Sequence, residues 1–282
     1  MEKVCAIVLA AGDGKRMRSS RPKVLCEVLF RPMICWIAGV LEECGVRDVC
    51  AVLGTGADQV HAAVPRFSWV EQKERLGTGH AVMQAKAFLQ EHRGGDCAVL
   101  YGDTPLMDAD TLQKAYLLHK KEGAAVTLVT ASLPDPAGYG RIVRNEKGDV
   151  SGIVEQADAD EKTLQIREIN AGTYWFSVDF LLDALDRLRA DNAQGEYYLT
   201  DVIGIAAALG RRVCGYQAVD SRVAMGANDR KGLLRLNEIA RQAELERHMD
   251  SGVEIVCADG VVIAPGVVIG QDTTILPGTI LK

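Results

Sequence analysis

Val4-Cys5-Ala6-Ile7-Val8-Leu9-Ala10-Ala11-Gly12-Asp13-Gly14-Lys15-Arg16-Met17 begins as an apolar run and breaks into a small, glycine-rich, basic turn. An unbroken apolar run of this length reads as a strand buried on both faces, as in a parallel sheet. Small residues and glycines let backbone N–H groups approach an anion closely. Arg16, and Lys23 in the following Arg21-Pro22-Lys23-Val24-Leu25, bring positive charge to the same place. The spacing is neither a Walker A loop nor a G-x-G-x-x-G dinucleotide fingerprint. The stretch therefore reads as a phosphate loop of another kind, with an ordinary turn carrying solvated cations as the plainer alternative.

Working outward, Val49 to Leu53 and Cys97 to Tyr101 are further short apolar runs, and Ile34 to Cys44 and His80 to Leu89 are apolar at helical spacing between them. Leu112, Ala115 and Tyr116 fall on one helix face. This alternation predicts an α/β fold with a mixed, mostly parallel central sheet, whose ligands bind at the carboxyl ends of the strands. From about residue 124 strands dominate: Ala124 to Ala131, Gly140 to Arg144, Val150 to Glu155 and Asn170 to Ser177, followed by a helix marked by Leu181, Leu185 and Leu188. Residues 229–250 read as a charged linker helix with a narrow stripe of Leu233, Leu236, Ala240 and Ala243. Beyond it Cys257, Ile263, Ile269, Ile275 and Leu281 recur every six residues, the hexapeptide signature of a β-helix. Only about one triangular turn of hexads is present, too few to bury its own apolar face, so the chain is expected to be truncated or to need a partner there.

Two other loops carry chemistry. Tyr101-Gly102-Asp103 ends a buried strand, with Asp108 and Asp110 available to cap the next helix. A carboxylate in Asp103's position, facing a phosphate loop, suits Mg²⁺, which takes one or two protein oxygens plus phosphates and waters. Gln72, then Leu76-Gly77-Thr78-Gly79-His80-Ala81, lies between a strand and a helix. Its amide and hydroxyl can read a base edge, although a left-handed turn explains the glycines equally well. Asn228 on its own reads as the cap of the linker helix.

Composition narrows the classes. The 282 residues are 48% hydrophobic and 25% charged, which excludes a disordered chain. No apolar run approaches the ~20 residues of a membrane span, and the N-terminus has no signal-peptide pattern. A net charge of -6 is a poor field for nucleic acid. The eight cysteines contain no C-x2-C pair and the five histidines no ligand spacing. Reduced, structural thiols in a cytoplasmic protein are expected.

Together, L-A-A-G-x-G-x-R-M, P-K-V-L, Q-x3-L-G-T-G-H-A and Y-G-D resemble the sugar-1-phosphate nucleotidyltransferases. Within them they resemble the bacterial UDP-N-acetylglucosamine pyrophosphorylases, the N-terminal part of bifunctional proteins that end in a glucosamine-1-phosphate N-acetyltransferase. Gly138-Tyr139-Gly140-Arg141-Ile142, Gly152-Ile153-Val154-Glu155, Glu168-Ile169-Asn170, Asn192 to Tyr198, and Asn228 continue the likeness.

The resemblance implies a Rossmann-like nucleotidyltransferase domain over 1–228, the linker helix over 229–250 and the first coil of a left-handed β-helix over 251–282. It implies that Leu9, Ala10, Ala11, Gly12, Gln72, Gly77 and Thr78 hold uridine, that Arg16 and Lys23 bind the UTP phosphates, and that Asp103 and Asn228 hold Mg²⁺. Gly140, Glu155 and Asn170 would hold N-acetylglucosamine, with Tyr101 and Gly102 beside the nucleotide-sugar. The implied reaction joins UTP and N-acetylglucosamine-1-phosphate into UDP-N-acetylglucosamine and pyrophosphate, for cell-wall and lipopolysaccharide precursors. The sugar phosphate is already an anionic nucleophile, so no general base is needed. Acetyl transfer is not expected of these residues. The family's homotrimer, built through the β-helix, is expected to be weaker here. The alternatives are a nucleotidyltransferase for another sugar-1-phosphate and a non-catalytic nucleotide-sugar-binding module.

Overall fold

The computed structural model describes residues 3–282. In chain order its first elements are β1 (Val4–Ala10), the short hairpin strands β2 (Glu27–Val28) and β3 (Arg31–Pro32), α1 (Met33–Glu43), β4 (Asp48–Leu53), α2 (Ala57–Ala63), β5 (Ser68–Glu71), α3 (Thr78–Gln84), α4 (Lys86–Glu91), β6 (Asp96–Tyr101) and α5 (Ala109–Glu122). There follow β7 (Val126–Ser132), β8 (Arg141–Arg144), β9 (Val150–Val154), α6 (Glu161–Leu164), β10 (Glu168–Ser177), α7 (Val178–Leu185), α8 (Asp201–Ala208), β11 (Val213–Gln217) and α9 (Arg230–Asp250).

The central sheet runs β11-β7-β10-β6-β1-β4-β5, with β8 joining β10 and β9 joining β8. Along that path β10 is the antiparallel strand between β6 and β7, while β4, β6, β5 and β11 pair in parallel with their other neighbours. β1 shows why both faces must be covered. Alternate side chains point to opposite faces, so Cys5 and Ile7 enter one core while Ala6, Val8 and Ala10 enter the other. The first core is closed by α3, α4, α7 and α8 through residues such as Val82, Leu89, Leu181 and Val202. The second is closed by α1 and α5 through Ile34, Ile37, Leu41, Leu112 and Ala115. The α/β expectation with a mixed, mostly parallel sheet is met.

The differences are local. The helix expected over His80 to Leu89 is two helices broken at Ala85. α7 ends at Leu185, so Leu188 is buried from a turn rather than from the helix. On α9 the buried stripe is Leu236, Ala240, Leu245 and His248, and Ala243 is exposed. Its first part packs on Met17, Val28, Leu29 and Met33, and Leu245 packs on Val253, Val261, Ile263 and Ile275. The face turns because the helix serves two different surfaces. The cap of α9 is Asp229, whose carboxylate accepts from Gly232 N–H at 2.8 Å; Asn228 is released from the capping role expected of it.

After α9, β12 (Glu254–Ile255) pairs in parallel with β14 (Thr274–Ile275), and β13 (Val262–Ile263) with β15 (Ile280–Leu281). Of the six-spaced residues, Ile263 and Ile275 are buried and Cys257, Ile269 and Leu281 are half-buried. Among the described residues, no helix is long and apolar enough to cross a membrane, and all eight cysteines are free thiols.

Candidate active site

The parallel strands β1, β4, β5 and β6 deliver their carboxyl ends to one edge, where the intervening loops form a cleft of about 340 Å³. Leu9, Ala11, Gly12, Gln72, Gly77, Thr78, Tyr101 and Asp103 line it, joined by Asp13, Arg75, Ala81 and Glu196. Ala10 turns away into the core beneath, and Gly102 N–H donates to Leu9 C=O at 2.9 Å, closing the β1 and β6 ends on each other. Arg16 sits on the 3-10 turn Lys15–Met17 with its side chain exposed. A larger cavity of about 730 Å³ lies between α1 and the segment that follows α2. It contains none of the sequence-selected residues, so chemistry rather than size identifies the site.

Three of the expected groups meet at one point. Lys23, at the start of the 3-10 turn Lys23–Leu25, forms an ion pair with Asp103 Oδ2 and donates to Asn228 Oδ1 at 2.7 Å. The side chains of Lys23 and Asp103 are only 12% and 23% exposed, so the pair is partly shielded from water. Two hard oxygens from distant parts of the chain converge on a single cationic atom. That donor set fits a small, hard cation such as Mg²⁺ completed by phosphate and water oxygens.

Gln72 is buried just past β5. Its Nε2 donates to Gly77 C=O at 3.0 Å and lies 3.1 Å from His80 Nδ1. The Gly77 carbonyl can only accept, which fixes the amide's orientation and leaves Oε1 as an acceptor. Gly77 has φ +103°, and a Cβ there would stand 2.5 Å from Tyr197 C=O. The loop is thus clamped beneath residues 196–198, with Gly79 N–H donating to Tyr197 C=O at 2.7 Å and Thr78 Oγ1 accepting from Leu199 N–H at 3.0 Å.

A second recess of about 250 Å³ shares Thr78, Tyr101 and Glu196 with the first and adds Glu155 and Tyr198. Burial pushes the Glu155 carboxyl up, against the hydrogen bond from Thr200 Oγ1 at 3.0 Å that favours its ionised form. Burial and then the Glu155 charge push the Tyr101 phenol up. Tyr198 is pushed up to about 12, first by burial and then by neighbouring carboxylates. Its hydroxyl is buried with no hydrogen-bond partner among the described residues, an orphan group of the kind that a bound polar ligand satisfies. Gly140 lies against Glu155, since a Cβ there would be 3.2 Å from its Oε2. Asn170 faces inward: its Nδ2 donates to Tyr174 hydroxyl at 2.6 Å and its Oδ1 accepts from Gly172 N–H at 3.0 Å. These bonds hold the irregular step of β10 between Asn170 and Tyr174.

The sequence reading did not select Arg75, Asp13, Glu196, Tyr198 or Thr200. A cation three residues before Thr-Gly-His and an acid inside a glycine-rich loop were the available signals for Arg75 and Asp13. Nothing local marks Thr200, which reaches Glu155 across 45 residues of chain.

Residues 6–194 match the family described as the MobA-like NTP transferase domain. The whole chain is 44% identical to the bifunctional protein GlmU of Brevibacillus brevis, covering 61% of that protein. It is 44% identical to GlmU of Heliobacterium modesticaldum, covering 62%, and 42% identical to GlmU of Caldanaerobacter subterraneus, covering 61%. The chain thus spans about three fifths of the length of these curated relatives. A solved structure described as a glucose-1-phosphate thymidylyltransferase of Bacillus anthracis superposes with a TM-score of 0.70 at 18% identity, over 84% of this chain and 95% of that one. That likeness concerns the fold alone.

Proposed function

The chain belongs to the MobA-like NTP transferase family, and on that premise we propose that it is a uridylyltransferase joining UTP to N-acetylglucosamine-1-phosphate, with release of pyrophosphate. The observation that carries this reading is a pair of adjoining recesses: a cleft at the sheet's carboxyl edge lined by Gln72 and by Asp103, which Lys23 pairs with, and one lined by Glu155 and Tyr198, the two sharing Thr78 and Tyr101. The similarity of this chain, along its whole length, to about three fifths of the GlmU proteins supports the choice of substrates.

In this reading Gln72 Oε1 accepts from the uracil N3–H, a donor that cytosine lacks at that position. The backbone of Leu9 to Gly12 and the loop Gly77–Thr78 flank the nucleoside, with Ala10 and Gly102 supporting them from beneath. Glu155 accepts hydrogen bonds from hydroxyls of the sugar, Tyr198 hydroxyl meets another polar group, and Gly140 and Asn170 shape the wall. The sugar phosphate attacks as an anion, so the protein positions two polyanions and neutralises their charge. Lys23 leaves Asp103 and Asn228 for the phosphates when nucleotide enters, and exposed Arg16 meets the departing pyrophosphate. Asp103 and Asn228 would hold Mg²⁺, which supplies charge neutralisation between the two phosphate groups.

We assign residues 1–228 to the nucleotidyltransferase domain, 229–250 to the linker helix and 251–282 to the start of a left-handed β-helix. The parallel pairs of β12 with β14 and of β13 with β15, at offsets of 20 and 18 residues, support the last of these, as does the six-residue apolar period.

The test is pyrophosphate release with Mg²⁺, UTP and N-acetylglucosamine-1-phosphate, with CTP and glucose-1-phosphate as parallel substitutions. Rapid release with the first pair alone is expected. Faster release with glucose-1-phosphate moves the chain to another sugar, and a folded protein that binds UTP without turnover is a binding module.

A further inference from the structure

Asp13 is a carboxylate in a loop that ought to attract phosphates, and it lines the same cleft. Arg75 answers it from the other side. Its Nε lies 3.3 Å from Asp13 Oδ1, its Nη1 donates to the Gln72 carbonyl, and its Nη2 donates to Thr55 Oγ1 at 3.4 Å. One planar guanidinium therefore ties together the loops that leave β1, β4 and β5, which are neighbours in the sheet. The space for it is built in: a Cβ on Gly54 would overlap Arg75 Nη2 and stand 2.7 Å from the Ala11 carbonyl.

We propose that Arg75 is a positioning residue for the nucleotide, cancelling the Asp13 charge in the phosphate loop and fixing the backbone from which Gln72 reads the base. This rests on the cleft being the nucleoside triphosphate site. The two side chains are 28% and 35% exposed, so as a surface pair they contribute little to global stability. Their effect falls on a polyanion bound beside them. Without Arg75, a triphosphate meets the uncompensated Asp13 charge. A lysine restores the charge but not the three-way fork, which only a planar guanidinium supplies.

The experiment measures UTP affinity by calorimetry, and KM and kcat by pyrophosphate release, at low and high KCl. It compares wild type, Arg75→Gln, Arg75→Lys and the double variant Asp13→Asn/Arg75→Gln, each checked for native circular dichroism. Arg75→Gln is expected to weaken UTP binding roughly tenfold, the scale of one uncompensated charge near a protein surface, with kcat within about threefold. High salt should shrink the deficit, because it screens repulsion. The double variant should recover most of the affinity and Arg75→Lys part of it. Wild-type affinity in Arg75→Gln overturns the inference. So do equal, salt-insensitive losses in Arg75→Gln and the double variant, which mark a purely structural role. A folded wild type that binds no UTP overturns the uridylyltransferase reading and this inference together, whereas an active wild type indistinguishable from Arg75→Gln overturns this inference alone.

Discussion

Replacing Lys23 by Met keeps an unbranched side chain, one atom shorter, and removes its charge, leaving Asp103 and Asn228 facing each other without the cation that joins them. A pair of unit charges about 4 Å apart attracts by roughly 1 kcal/mol in water and roughly 4 kcal/mol at the effective dielectric near a protein surface. Side-chain exposures of 12% and 23% place this pair toward the second limit. Desolvation takes back part of the gain, so Lys23→Met should destabilise the nucleotide-free protein by about 2 kcal/mol. For a chain of this size each 1 kcal/mol lowers Tm by about 2–4 °C. The same variant should gain a response to Mg²⁺, since the two oxygens no longer have a competing ammonium. If Mg²⁺ binds there with a Kd near ~1 mM, 10 mM MgCl2 returns about 1.4 kcal/mol. Differential scanning fluorimetry of wild type, Lys23→Met and Lys23→Met/Asp103→Asn, without nucleotide and with MgCl2 or matched KCl, reads both effects. The expected pattern is a specific Mg²⁺ stabilisation in Lys23→Met, a smaller one in wild type and none in the double variant. A Lys23→Met protein as stable as wild type, or one whose Mg²⁺ response survives loss of Asp103, would refute the reasoning.

Three other perturbations test separate parts of the account. Asp103→Asn should lower turnover by about a hundredfold or more, the scale of losing one electrostatic element at a reacting phosphate; near-normal turnover in the folded variant rules out its assigned role. Gly77→Ala forces a side chain to φ +103° and into the Tyr197 carbonyl, and should cost about 2 kcal/mol or more in urea unfolding; an unchanged midpoint would mean the loop is not clamped. Burial opposes ionisation of Asp96, but hydrogen bonds from His119 and Lys120 prevail and hold its carboxyl below the ordinary value. Its stabilisation is therefore complete above the ordinary aspartate pKa and is lost as pH falls through the lowered folded value. Asp96→Asn should cost about 1–3 kcal/mol at pH 7 and flatten the loss of stability below about pH 4, measured by thermal melts from pH 7 to pH 3; parallel curves for the two proteins would contradict it.

The legible parts of the fold were those whose burial is two-sided and local. β1, β4 and β6 are short, unbroken apolar runs because each is covered on both faces. Other elements gave weak signals for physical reasons. β5, Ser68-Trp69-Val70-Glu71, is an edge strand with mostly exposed side chains. α8, Asp201 to Ala208, is apolar nearly all round and shows no helical stripe. β11 contains Gly215, which weakens the strand pattern. In the site, Leu9 to Gly12, Gln72 and Asp103 were readable because they lie at or just past the carboxyl end of a strand. Glu155 and Asn170 came only from the resemblance, since an acid after a strand and an amide within one have common structural uses. Asn170 has such a use here as well, spending its amide on Tyr174 and Gly172.

Local order along the chain was enough to determine the strands, the glycine-rich turns at their carboxyl ends and hence the edge at which the candidate site lies. Hydrophobic periodicity and turn chemistry act between residues close in sequence. Which charges meet was decided only by the tertiary structure. Lys23 reaches Asn228 across 205 residues, Arg75 reaches Asp13 across 62, and Thr200 reaches Glu155 across 45. Electrostatic and hydrogen-bonding partners are set by distance in space. That distance exists only once β1, β4, β5 and β6 are laid side by side and α9 is docked over the loop that follows β1.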